Sequence, residues 1–184
     1  MTRVWHWVLA LAVTINWGLG EFMDFDTITW HFYLGYLILG LIGFRIIWGL
    51  FGPAPIRFIN LLSTPKVIWD YVKTIPKRSP SGTPGHNPLG SLWIFAILLL
   101  LTAQATSGLF IESEDFWENG PLFDYVSQDT SDMLYNWHYD LSNIILGMVI
   151  LHVCVILFYL IWKKENLIKP MINGRKWIRD NKNH

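Results

Sequence analysis

Apolar residues fall into four long runs, at positions 4–19, 30–51, 92–110 and 141–162, with polar or Gly- and Pro-containing stretches between them. A helix needs about 20 apolar residues to cross a bilayer, because lipid offers the backbone no hydrogen-bond partners and only helices or closed barrels satisfy it. The first run is short but flanked by Trp, and the fourth extends back to about Met133. The pattern predicts an all-α fold: an integral membrane four-helix bundle with helices over approximately 4–20, 30–51, 88–110 and 133–162. The same reading gives one transmembrane domain over 1–184, with a loop at 52–87 and a basic tail at 163–184.

Composition agrees with that reading, since 52% of the residues are hydrophobic and only 15% charged, outside the usual range of a soluble domain. The first run resembles a signal peptide in having one Arg before an apolar stretch. It ends, however, in Asn16-Trp17-Gly18-Leu19-Gly20 without a small-x-small cleavage site, so it is read as retained. Cys154 is the only cysteine and lies in the fourth run, which excludes an internal disulfide or a thiolate cluster and leaves it a packing residue.

A formal net charge of zero conceals a segregation of the basic residues. Arg3, the stretch 45–78 and the tail 163–182 hold all 14 Lys and Arg, and the loops 21–29 and 111–132 hold none. Those two loops instead carry Glu21, Asp24, Asp26, Glu112, Glu114, Asp115, Glu118, Asp124, Asp129 and Asp132. The positive-inside rule therefore predicts both termini and the middle loop in the cytoplasm, and the acidic loops outside.

Six histidines remain to be placed. His184 is the last residue and His86 falls in the middle loop. His6 opens the first helix from inside, His31 opens the second from outside, and His138 and His152 share the fourth. The last two are 14 residues apart, which closes to within about 40° of four turns and rises ~21 Å. They point from one helix face at two depths. His6 is likewise 14 residues from Gly20 at the outer end of its helix, which puts it near the depth of His152. The predicted outer pair is then His31 with His138, and the inner pair His6 with His152. Taken singly, a histidine at a helix end reads best as a hydrogen-bonded boundary residue. Four that match pairwise in depth suit the axial positions of two haems, for which neutral imidazole is a fitting ligand.

Arg45 lies 14 residues beyond His31 and so faces the same way at the inner end of the second helix. It is a candidate partner for a propionate of the inner haem, or a cation snorkelling to the headgroups. Asn16, Gln104, Thr106 and Asn143 are intramembrane polar residues expected to bond between helices. In Gly85-His86-Asn87-Pro88, Asn87 reads as an N-cap and Pro88 as the first helical residue. His86 is then either a bystander or a partner for a propionate or a quinone. Thr64-Pro65 begins a second stretch with Val67, Ile68, Tyr71, Val72 and Ile75 on one stripe, an amphipathic helix for the inner leaflet. The tail, with Met171, Ile172, Trp177 and Ile178 among its basic residues, reads as resting on anionic headgroups.

These residues carry a resemblance. Arg3-Val4-Trp5-His6-Trp7, Trp30-His31-Phe32-Tyr33-Leu34-Gly35-Tyr36 and Phe44-Arg45-Ile46-Ile47-Trp48-Gly49 resemble the bacterial cytochrome b561 family. So do Gly85-His86-Asn87-Pro88-Leu89-Gly90 and the pair His138 and Leu151-His152, and the likeness covers nearly the whole chain. The resemblance implies a four-helix bundle with two bis-histidine haem b groups, moving electrons between the membrane faces or to and from quinone. Related b-type subunits anchor nickel-iron hydrogenases and formate dehydrogenases, and other members oxidise superoxide or serve periplasmic cytochromes.

Two imidazoles per iron leave no open position, so the expected chemistry is one-electron change of the metal. The expected setting is the bacterial inner membrane. The expected partners are lipid, ubiquinone or menaquinone, a periplasmic c-type cytochrome or other redox protein drawn to the acidic outer loop with its Phe116, Trp117, Phe123 and Tyr125, and a second copy of the chain. That loop reads equally as a solvated segment following the topology rule. No nucleotide fingerprint is present and no nucleic acid is expected. Two alternatives stand beside the conduit: a b-type anchor subunit of a larger oxidoreductase such as a hydrogenase, and a transporter using the histidines for metal ions or protons.

Overall fold

In the computed structural model the described residues are 1–78, 87–113 and 118–174. His86, the loop residues Glu114, Asp115, Phe116 and Trp117, and the tail from 175 onward, with Trp177, Ile178 and His184, lie outside them. Among the described residues the regular elements are helical, with no strand. They are α1 (Thr2–Glu21), α2 (Ile28–Phe51), α3 (Phe58–Leu61), α4 (Pro65–Val72), α5 (Pro88–Ser107), α6 (Gln128–Ile161) and α7 (Ile168–Asn173), with short 3-10 turns between them.

Among the described residues three helical stretches are long and apolar enough to cross a bilayer: Ile28–Phe51, Pro88–Phe110 and Gln128–Ile161. Helix α1 matches them with 20 residues but is less apolar, because Arg3, His6 and Asn16 and three tryptophans interrupt its aliphatic residues. Much of the surface is oily: Leu37, Ile47, Leu50, Leu99, Ile144 and Ile150 are all exposed on their helices. In water such a surface would aggregate, whereas in lipid it faces the acyl chains.

Some of the helices start where the sequence supplies a cap or a proline. Before α2, the Asp24 carboxylate accepts from the amides of Asp26 (3.0 Å) and Thr27 (2.8 Å). Thr27, through its amide and hydroxyl, holds the Asp24 carboxyl below its usual range. Before α5, Asn87 Oδ1 accepts from Gly90 N at 2.6 Å, with Pro88 in the first helical position. Pro65 plays the same part in α4.

The chain divides into two compact units, Met1–Ile46 with Ile97–Gly147, and Ile47–Ala96 with Met148–His184. The core of the first unit draws Leu9 and Ala12 from α1, Ile38 and Ile42 from α2, Leu101 from α5 and Ile145 from α6. The chain after α5 folds back on it: Leu122 N donates to Leu109 O and Gly120 N to Ile111 O, both at 2.8 Å. A Cβ at Gly120 would strike the Leu109 and Gly108 carbonyls, so only glycine allows this approach. In the second unit, α4 and the turn after it are tied to the end of α6. Tyr71 and Tyr159 share a 2.6 Å hydroxyl contact, Trp162 Nε1 donates to Pro76 O at 3.3 Å, and the Arg78 guanidinium lies 5.2 Å from the Trp162 ring centre.

Two expectations need correction. Thr106 and Asn143 bond within their own helices, Thr106 Oγ1 to Thr102 O (2.7 Å) and Asn143 Nδ2 to Tyr139 O (3.1 Å). In hydrocarbon the carbonyl one turn back is the nearest acceptor and the least costly to reach. Lys163, read as the start of a headgroup-facing tail, is instead 2% exposed. Its ammonium donates to Thr74 O (3.2 Å) and Lys77 O (3.3 Å), the carbonyls just past the end of α4. A buried ammonium is satisfied there by two backbone carbonyls of the turn that follows α4.

Past the end of α6, Glu165 N donates back to Tyr159 O at 3.0 Å, with Lys164 in the left-handed region at φ 56°. Helices usually place glycine at this position, because a Cβ there strains the backbone. Lys164→Gly should therefore raise stability by about 1 kcal/mol, read as a higher midpoint of thermal unfolding in detergent. A lower midpoint would mean that the lysine side chain, and not the backbone, sets the balance.

Candidate functional site

Helix α6 organises the candidate site because its inward stripe sets polar residues among apolar ones. Ser131, Leu134, His138, Leu141, Ile145, Met148, His152, Ile156 and Tyr159 are buried or half-buried positions of it at three- and four-residue steps, and the buried Lys163 follows its end. His138 and His152 sit two heptads apart on that stripe, separated by ~21 Å of helix rise.

In the first unit, His31 of α2 faces His138 of α6, with ring centres 6.1 Å apart and planes inclined at 69°. Each ring is held by its Nδ1. His31 Nδ1 donates to Asn16 O of α1 at 3.1 Å. Ser107 Oγ donates to Gln104 O at 2.9 Å, so its lone pairs accept from His138 Nδ1 at 3.1 Å. Both rings then present Nε2 as the nitrogen available to a metal, which is how outer partners fix the tautomer of a ligating histidine. Two imidazoles on opposite sides of one iron, bonded at about 2 Å each, have ring centres roughly 6 Å apart. The pair at His31 and His138 therefore fits a haem iron between them.

Small residues make room for these rings. A Cβ on Gly20 would lie 3.2 Å from His31 Cε1, and one on Gly108 would lie 3.0 Å from His138 Cε1. The side-chain oxygens of Asn16 and Gln104 are buried without a hydrogen-bond partner among the described residues. Neither Ser107 nor the two glycines stood out in the sequence. The only signal was their position at or next to a helix end.

The remaining candidates are spread over both units. His6, in the first, packs edge-on against Trp7 at 5.4 Å. Arg45, also in the first, is 4% exposed, with its guanidinium 6.0 Å from the ring centre of Trp5, whose Nε1 donates to Leu41 O at 2.8 Å. His152, in the second, stacks with Trp93 of α5 at 6.1 Å and 17°. Among the described residues no group of three or more His, Cys, Asp or Glu side chains converges as a metal cage.

Comparison with known proteins gives a family. The family model described as prokaryotic cytochrome b561 matches residues 1–174. The chain is similar to the probable Ni/Fe-hydrogenase B-type cytochrome subunit of Azotobacter vinelandii, at 25% identity over 98% of this chain and 87% of that protein. The subunit of the same description from Cupriavidus necator is 26% identical over 97% and 85%. The probable Ni/Fe-hydrogenase 1 B-type cytochrome subunit of Escherichia coli K12 is 25% identical over 94% and 86%. No solved structure matches the chain.

Ser107→Ala removes the acceptor that orients His138. Losing such an outer partner weakens metal binding on the order of 10-fold, so the variant should release haem to an apo-globin acceptor about that much more readily. Unchanged release would show that the Ser107 hydroxyl does not orient the ring.

Proposed function

Since the chain belongs to the prokaryotic cytochrome b561 family, we propose that it is a four-helix conduit of the bacterial inner membrane, passing electrons between the quinone pool and a redox partner at the periplasmic face. Membrane b-type cytochromes of this family carry haem, and the apolar helices α2, α5 and α6 suit a membrane setting. In this reading α1 is the fourth crossing helix and both termini lie in the cytoplasm. The segregation of Lys and Arg to alternate ends of the helices supports that orientation.

The observation that carries the reading is the facing pair His31 and His138, each with its Nδ1 engaged by the protein. A second haem is assigned to His152, for which sequence spacing offers His6 as the other axial ligand and Arg45 as a partner for a propionate. His86 stays a further candidate for a propionate or quinone contact. A bound haem would supply one-electron chemistry, and these histidines would be the residues that hold it. The chain's own residues orient the imidazoles, keep water from the metal, and set its potential through the charges nearby.

At the outer side, Gln128 Nε2 reaches both Glu112 Oε2 and Asp132 Oδ1 across an exposed acidic surface, which suits a basic electron carrier such as a c-type cytochrome. A cleft of about 280 Å³ lined by Thr29, Phe32, Tyr33, Tyr36, Glu118 and Asn119 has room for a small acceptor there. A second reading, membrane anchor and electron relay of a larger oxidoreductase, is favoured by the relatives named as hydrogenase cytochrome subunits. The transporter reading finds no metal cage among the described residues to support it.

The test is the reduced-minus-oxidised visible spectrum with haem counted per chain, for the wild type and single histidine variants. The wild type should hold two low-spin b haems. His31→Ala and His138→Ala should lose the same one, and His152→Ala the other. Loss of one haem by both His31→Ala and His152→Ala would break the depth assignment, and a chain that takes up no haem would end the conduit reading.

A further inference from the structure

A cluster in the second unit is not used by any role assigned above. Tyr159 is 5% exposed and lies seven residues past His152 on the inward stripe of α6. That spacing falls about 20° short of two turns and ~10.5 Å along the axis. Helical side chains lean toward the N-terminus, so the phenol reaches back toward His152. Its hydroxyl lies 2.6 Å from that of Tyr71 and accepts from Asn87 Nδ2 at 3.4 Å, while Asn87 Oδ1 is taken by Gly90 N.

The proton inventory of this cluster is unbalanced. Two hydroxyl and two amide hydrogens are available as donors. One is used between the tyrosines, and Asn87 bonds both hydroxyls, which leaves one donor unused by the bonds within the cluster. Burial, together with the Tyr159 hydroxyl and the Glu165 charge, pushes the Tyr71 phenol up, so it stays protonated and able to donate. The ammonium of Lys163 lies 5.7 Å from the Tyr159 ring centre. Lys73, Lys77, Arg78, Lys163 and Lys164 outnumber Asp70 and Glu165 in the same segments. A half-buried donor in excess, beside the buried Tyr159 and in a basic setting, suits an anionic acceptor oxygen.

We propose that Tyr71, Asn87 and Tyr159 form the seat of one carboxylate side chain of the haem held at His152. The proposal rests on His152 being a haem ligand. A carboxylate fits the seat better than a quinone headgroup, because it is slender, ionised and tethered to the group that His152 would hold. The seat also joins α4 to the cofactor: the helix that bears Tyr71 is followed by the turn that Lys163 holds.

The experiment is a spectroelectrochemical titration of the haem-loaded protein in detergent, comparing the wild type with Tyr159→Phe and, in case that variant fails to fold, Tyr71→Phe. Both are repeated on apoprotein reconstituted with haem dimethyl ester, in which the carboxylates are blocked. Hydroxyl donors draw negative charge off the carboxylate, so their loss should favour the ferric state. The expected result is a reduction equilibrium about threefold lower, ~28 mV for a one-electron couple, confined to the haem missing from His152→Ala and absent in the ester protein. No shift in either variant, or an equal shift in the ester protein, overturns the seat. So does a weakened quinol KM with both potentials unmoved, which would give the cluster to a quinone carbonyl. Full haem content in His152→Ala would instead show that the ligand assignment beneath the proposal is at fault.

Discussion

An imidazole has two ring nitrogens, and a helix that carries it into hydrocarbon must give both a partner or bear a cost of several kcal/mol for the one left over. Helix α6 takes this burden on twice, at His138 and His152, and adds a buried phenol on the same stripe and a buried ammonium just past its end while exposing aliphatic side chains all around it. Such a helix has its polarity inside. The arrangement makes sense when something within the fold needs nitrogen ligands and hydrogen-bond donors, and a bis-histidine haem needs both.

The rest of the first unit follows from holding those rings still. One nitrogen of each ring is committed to the protein, His31 to a carbonyl of α1 and His138 to a hydroxyl at the end of α5, so three neighbouring helices contribute to the geometry of one pair. Glycines stand where the rings pass closest to a backbone. Gly120 lets the chain after α5 lie down on the end of that helix beside Gly108, which itself abuts His138. Hydroxyls elsewhere in the helices, such as Thr14, Thr102 and Thr106, turn back on their own carbonyls and so leave no stray donor in the lipid.

What could be read from the sequence was whatever depends on local pattern. Apolar run length gave α2, α5 and α6, the Asn87-Pro88 and Thr64-Pro65 pairs marked helix starts, and a 14-residue interval put two histidines on one face. Helix α6 begins earlier than its apolar run, at Gln128, because its first turns carry polar residues and lie against the chain after α5, where Glu112 N donates to Ser131 Oγ at 2.8 Å. Ser107 was invisible because its importance comes from a contact 31 residues away, and the Asn16 contribution is made by a backbone carbonyl that any residue would supply. Lys163 looked like the first of several headgroup-facing cations. Only the fold of α4 against the end of α6 shows that it bonds the turn after α4.

The central claim is that the irons have histidine on both faces and therefore only pass electrons. The electron paramagnetic resonance spectrum of the oxidised protein tests this most directly, because an iron with two strong imidazole ligands is low-spin and one with an open or weakly held position is not. The account predicts two low-spin ferric signals of equal intensity and no high-spin component. A high-spin signal of comparable size in intact protein would contradict it, since at least one iron would then have a position open to a substrate.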